Sequence, residues 1–342
     1  MRGMLLDSLD SRLLRANADR LGFGNAGHLE KFIADFDAHA VISRSLTCHV
    51  RGGLCFPFHV DNAAHRLSTD LDLYTAVDVD DVSGEIPDLL TAHGFTSVTT
   101  HWRSRKNMHV KQLVRFNAKF KSKFGATSSI NVDVACRLDP GLIATVTVPS
   151  GYGLLGIRTE HEISVLSMGS LMADKIMSLG IGTVGYESLS STPKQIYDVG
   201  KLIQHAGVTD LEHLMSTYGK LTEFKLSRDN RGHTQKEVME SIMSYIDDLG
   251  HEVATPGLAS HWSHFKTFSK SMLSQHQQAQ GDHLERILLI SACSRFLSRS
   301  LEPGASPAEE AAGLYATLDE ARAKKETGEH LEFLRKRLGL AA

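Results

Sequence analysis

Between residues 65 and 74 the chain reads HRLSTDLDLY. Successive side chains of an extended strand point to opposite faces, so Asp70 and Asp72 share one face while Leu71 and Leu73 share the other. The leucine face has to be covered by a core, and the aspartate face has to stay where charge is tolerated. The two carboxylates stand roughly 7 Å apart, twice the rise per strand residue. Like charges at that spacing remain ionised only with a cation or good solvation. The stretch therefore demands a sheet covered on one side, with a place for a metal ion on the other.

The surrounding pattern fits an α+β chain. Residues 28–47 put Leu29, Phe32, Ile33 and Phe36 at helical spacing. Strands are expected over 69–75, 95–100, 108–120 and 129–136, and a helix over 84–93 with Pro87 in its first turn. From Ser167 onward the period is helical. SMGSLMADKIMSLG opens on a serine suited to N-cap and closes at Gly180, and further helices are expected near 193–206, 209–219, 233–250, 257–275, 281–299 and 307–338. With 342 residues the chain has room for two bodies, an α/β core over 1–165 with N-terminal helices and an α-helical region over 166–342.

Composition narrows the classes. At 42% hydrophobic and 23% charged residues the chain is neither disordered nor membrane-embedded. Asp7 and Asp10 interrupt any apolar signal at the N-terminus and no apolar run of 18 residues follows, so a cytoplasmic protein without a membrane partner is expected. Cys48, Cys55, Cys136 and Cys293 show no metal or redox spacing and read as reduced core thiols. The net charge of −3 makes no overall case for nucleic acid, so such a partner has to be argued locally.

Three motifs tempt and fail. GYGLLG at 151–156 is a literal GxGxxG, but a strand-like IRTEHEISVLS follows where a dinucleotide site needs a helix, so a glycine-rich turn is expected. A calcium loop starting at Asp78 would need Gly and Glu where Ser83 and Leu89 stand, leaving a solvated acidic loop. His261 and His264 lack further ligands at a recognisable spacing and read as packing or surface histidines.

A different set holds together. Gly52 and Gly53 in HVRGGLCFPF leave backbone N–H groups open to close approach by phosphate. An SxDxD strand follows, and Asp133 in INVDVACR is a lone charge in an apolar strand. A two-metal nucleotidyl transfer site would use Asp70 and Asp72 for both ions and a third carboxylate, Asp133, for one of them. Exposure at a sheet edge accounts for Asp133 equally well from the residues alone.

RGG, then HRLSTDLDL, ADKIMSL and KQIYDVGKL, in that order over residues 45–205, resembles the AbiEii/AbiGii nucleotidyltransferase toxin family of the DNA polymerase β-like superfamily. The resemblance implies a polymerase-β-like core with a mixed sheet. It implies Gly52, Gly53 and Ser68 at the triphosphate and Asp70 and Asp72 at Mg2+ or Mn2+; Arg66 is expected to join the former, and Asp133 remains the candidate third carboxylate of the latter. It also implies Lys175 as the cation facing the NTP, and Asp198 beside the active centre. By the same resemblance the reaction moves a nucleoside monophosphate from an NTP to the 3′ end of tRNA, and the partner is a cognate antitoxin.

Local charge supplies an acceptor argument of its own. From His101 to Phe124 there are eight Lys or Arg, two His, several aromatics and no Asp or Glu. Such a hairpin suits a phosphate backbone and exposed bases, with Arg103, Arg105, Lys106, Lys111 and Arg115 as its contacts. A solvated hairpin is the plain alternative, and a protein or small-molecule hydroxyl is the alternative acceptor.

Overall fold

The structure is a computed structural model describing residues 5–60, 66–102, 113–149, 161–185, 189–228, 231–251, 256–273 and 280–340. It divides into two compact units, Met1–Leu166 with Ser271–His276, and Ser167–Lys270 with Gln277–Ala342.

The first unit is built on a seven-stranded sheet. Its strands are β1 (His49–Arg51), β2 (Asp70–Tyr74), β3 (Ser97–Trp102), β4 (Leu113–Phe120), β5 (Ser128–Ala135), β6 (Thr145–Pro149) and β7 (Glu162–Leu166). They lie in the order β3-β4-β5-β2-β1-β7-β6, with β2–β5 and β1–β7 parallel and the other pairs antiparallel. The alternation of the sequence decides which face is covered. Leu71, Leu73, Val114, Phe116, Ala118, Ile130, Val132 and Val134 are all buried. Helices α1 (Ser11–Arg20), α2 (Ala26–Ile42) and α3 (Val79–Ala92) belong to this unit, and α2 and α3 pack on the central strands. The residues between the apolar ones, Arg115, Asn117, Asn131, Asp133, Asp70 and Asp72, share the other face.

Two expectations change here. The acidic stretch around Asp78 is a helix start rather than a loop: the Asp78 carboxylate caps α3 by accepting from the Asp80 N–H. The helix consequently begins at Val79, and Pro87 lies in its interior rather than its first turn. The carbonyl that the proline leaves without a donor is that of Ser83, a half-exposed position where water can serve it. β6 was not foreseen; it is an edge strand, short and closed by Pro149, as edges tolerate.

The second unit is helical: α4 (Met168–Met177), α5 (Thr192–His205), α6 (Val208–Leu226), α7 (Gln235–Gly250), α8 (Pro256–Met272), α9 (Gln280–Ser300), α10 (Pro307–Lys325) and α11 (His330–Leu338). Ser167 caps α4 through the Ser170 N–H, and every residue of α4 from Gly169 onward is buried, among neighbours that include α5 and α6. The stretch expected as one helix over 307–338 is two, divided at Gly328, whose φ of +79° cannot continue a right-handed helix. His261 is a core residue, its ring nitrogens 3.0 Å from His283 Nε2 and 3.2 Å from the Tyr245 hydroxyl. All four cysteines are buried and unpaired with one another. No described helix is long and apolar enough to cross a membrane. The GYGLLG turn lies outside the described residues.

One short return links sequence-distant parts of the first unit. Arg66, just ahead of β2, forms an antiparallel bridge with Leu273.

Candidate active site

The site grows from the turn at the end of β1. Gly52 follows Arg51 with φ +69°, in the left-handed region, and a Cβ there would run into the Asp72 carboxylate. A Cβ on Gly53 would lie 2.7 Å from both an Arg66 guanidinium nitrogen and Ser68 Oγ. The two glycines therefore let the backbone lie directly on Asp72, Arg66 and Ser68, and the chain then enters the 3-10 helix Gly52–Phe58. Arg66 is buried, donates to the Leu67 carbonyl at 3.0 Å and sits 5.8 Å from the Phe56 ring centroid. Ser68 is buried too, its hydroxyl 3.3 Å from the Asp70 carbonyl.

Asp70 and Asp72 are half-buried and aim to the sheet face opposite the leucines. Asp70 is steadied by an amide relay running across the sheet. Asn131 donates to its Oδ1 at 3.0 Å, and Asn117 donates to Asn131 at 3.2 Å. Register places a second row one step along: Arg51 opposite Asp72, Asp72 beside Asp133, and Asp133 opposite Arg115.

Asp133 is paired across the sheet. Both its oxygens accept from Arg115, Nε to Oδ1 and Nη2 to Oδ2, each at 2.5 Å. These hydrogen bonds hold the Arg115 pKa above its ordinary value against the pull of burial, and the charges of Asp133, Asp70 and Asp72 add to the effect. Arg115, expected as an RNA contact, has its guanidinium paired into the sheet face, with its side chain 23% exposed. Arg103, Arg105, Lys106 and Lys111 lie outside the described residues.

The oxygen donors suit a hard divalent cation, which is often held by one or two carboxylates with water and substrate phosphate completing the shell. Asp70 and Asp72 meet that need as a pair. The three-carboxylate arrangement is not assembled: among the described residues no group of three or more His, Cys, Asp or Glu converges on one point.

In the second unit Lys175 and Asp198 come together as an ion pair, Nζ to Oδ2 at 2.5 Å, with side chains 3% and 0% exposed. Gln195 Oε1 lies 3.5 Å from the same ammonium. Lys175 is thus a buried lysine, and its ammonium is paired with the Asp198 carboxylate. The signal that would have found the pair is the single cation of α4 matched to the single acid of α5.

Residues reasoning from sequence missed are Arg51, Asn117 and Asn131. Asn117 and Asn131 stand at alternate positions of strands already expected and Arg51 on β1, which was not among them, and only the cross-strand register brings all three to the aspartates.

Over residues 44–274 the sequence matches the family described as nucleotidyl transferase AbiEii toxin, type IV toxin–antitoxin system. MenT4, a nucleotidyltransferase toxin from Mycobacterium tuberculosis H37Rv, is similar at 13% identity, with 94% of this chain and 98% of that chain covered and a TM-score of 0.49. JHP933 from Helicobacter pylori is similar at 9% identity, covering 94% and 99%, with a TM-score of 0.41. No curated protein matches. The family span takes in the glycine turn, the three aspartates, Lys175 and Asp198, and the chain belongs to the AbiEii family of nucleotidyltransferase toxins of type IV toxin–antitoxin systems.

Proposed function

We propose that the protein transfers a nucleoside monophosphate from an NTP to the 3′-terminal hydroxyl of tRNA, releasing pyrophosphate and blocking translation, and that a cognate antitoxin opposes it. The observation that carries the transferase reading is the packing of Gly52 and Gly53 onto Asp72, Arg66 and Ser68 beside Asp70. Backbone N–H groups freed by the two glycines, with the Ser68 hydroxyl and Arg66 behind them, form a bed for the β- and γ-phosphates. Asp70, steadied by Asn131, and Asp72 would hold Mg2+ or Mn2+. When bound, the ion neutralises triphosphate charge and lowers the pKa of the attacking hydroxyl. Asp70 and Asp72 thereby set where the α-phosphate meets its acceptor, and the glycine turn keeps the leaving pyrophosphate in line. Lys175 and Asp198 enter through the family resemblance.

The acceptor rests on the basic run from His101 to Phe124 and on that resemblance. The test is incubation of the protein with Mg2+, each labelled NTP in turn and total cellular RNA. Label should appear in a band of tRNA size and fall with rising salt as phosphate contacts are screened. Label confined to a protein or a small metabolite, under all four nucleotides, would replace the acceptor and leave the transferase standing.

A further inference from the structure

The row across the polar sheet face holds its charges in a fixed order: Arg51, Asp72, Asp133, Arg115, with Asp70 one step along β2. Three carboxylates and two guanidinium groups leave a net charge of −1 there. One divalent ion brings the row to +1, and two bring it to +3. Asp133, meanwhile, has each of its oxygens engaged by a separate N–H of one rigid fork, the strongest geometry an arginine offers a carboxylate.

A dication bound to Asp133 would lie next to the guanidinium that already holds the same carboxylate. The two cations would repel at close range on a partly buried face, where solvent screens them weakly. Arg115 has no easy way out, because antiparallel pairing of β4 with β5 sets it directly opposite Asp133. The pull of Asp70 and Asp72 on the same guanidinium, which raises its pKa together with Asp133, also draws it toward the centre rather than away.

We infer that Arg115, clamped by Asp133, is the permanent second positive charge of this active centre, so that the centre takes one divalent ion, at Asp70 and Asp72, instead of two. Asp133 is then a positioning residue that acts through Arg115 and is not a metal ligand. The inference rests on the transferase reading above only for the choice of cation.

Counting bound Mn2+ per chain, from the spin-resonance signal of the free ion, tests it without reference to turnover. The count is taken on the full chain, alone and with one equivalent of a non-hydrolysable NTP analogue. One ion per chain is expected in both states. Asp133→Asn should keep that ion, and Asp70→Asn should lose it. Arg115→Met should admit a second ion by baring Asp133, while Arg115→Lys, which retains a charge, should stay at one. Two ions bound with Arg115 in place would overturn the inference. So would loss of the single ion in Asp133→Asn, or an unchanged count in a folded Arg115→Met protein. Should Arg115→Met fail to fold, the Asp133→Asn count decides alone. Labelling of an acceptor by NTP, measured separately on the wild-type protein, shows whether the transferase reading survives any of these results.

Discussion

Replacing Lys175 by Met removes a charge from a place where both partners are enclosed, at 3% and 0% exposure and 2.5 Å separation. Asp198 would be left ionised and buried without its closest cation. Breaking such a pair from one side costs about 3–5 kcal/mol, whereas replacing both partners by apolar groups is often close to neutral. For a body of 150–250 residues about 2–4 °C of melting temperature goes with each kcal/mol, so Lys175→Met should melt about 6–20 °C lower. Asp198→Leu should fall by a similar amount, and the double variant should recover most of the loss. Thermal and urea unfolding of the four proteins closes the cycle. A single Lys175→Met change costing less than about 1 kcal/mol, a surface-pair value, would refute the account of the pair as a buried one. The double variant also separates two roles that the single variants confuse. If Lys175 serves only the fold, the stable double variant keeps transferase activity; if it serves the reaction, as the family resemblance implies, the double variant is stable and inactive.

Gly52→Ala should lose turnover and about 1–2 kcal/mol of stability, since a left-handed alanine is strained and its methyl displaces the Asp72 carboxylate; an active, equally stable variant would refute the close packing. Asp70→Asn or Asp72→Asn should leave the fold intact and cut NTP turnover far more than tenfold, tenfold being about 1.4 kcal/mol of barrier; circular dichroism and labelled-NTP turnover check the two halves. Burial, with the charges of His161 and His49, holds His39 down to about 3, and burial with His264 holds His261 down to about 4. Both are neutral in the folded chain, so the unfolded chain binds their protons first. Stability is whole above pH 6.5 and declines as pH falls from there toward 4 and 3, by about 2 kcal/mol per histidine at pH 5. Melting temperatures equal at pH 7 and pH 5 would refute this, and His39→Leu, if it folds, should flatten the slope.

What the sequence made legible was what local period controls. DLDLY had to be a strand with its leucines inside, and RGG ahead of it had to be a tight turn; Leu71 and Leu73 are fully buried and Gly52 has a positive φ. The helical second half was legible for the same reason, down to the Ser167 cap. What was not legible depends on contacts between distant residues. The pairing of Asp133 was not legible because nothing in INVDVACR says that Arg115, eighteen residues earlier, stands across from it. The pairing of Lys175 was not legible because its partner is on the next helix. The misplaced start of α3 has a local cause: the penalty for an interior proline was weighed without the Asp78 cap, which begins the helix regardless.

The bridge between Arg66 and Leu273 sets an order of events during synthesis. A ribosome adds about 5–20 residues per second, so about 10–40 s pass between the appearance of Arg66 and that of its backbone partner. By about the middle of that interval the last strand of the first unit, β7, has been made, yet the segment carrying Arg66 still lacks its clamp. The family match ends at residue 274, one residue past that clamp. A chain cut short before Leu273 would contain Asp70, Asp72 and Asp133 and still leave the Arg66 segment unfastened, so a contact that completes the first unit is encoded only after most of the second unit's sequence.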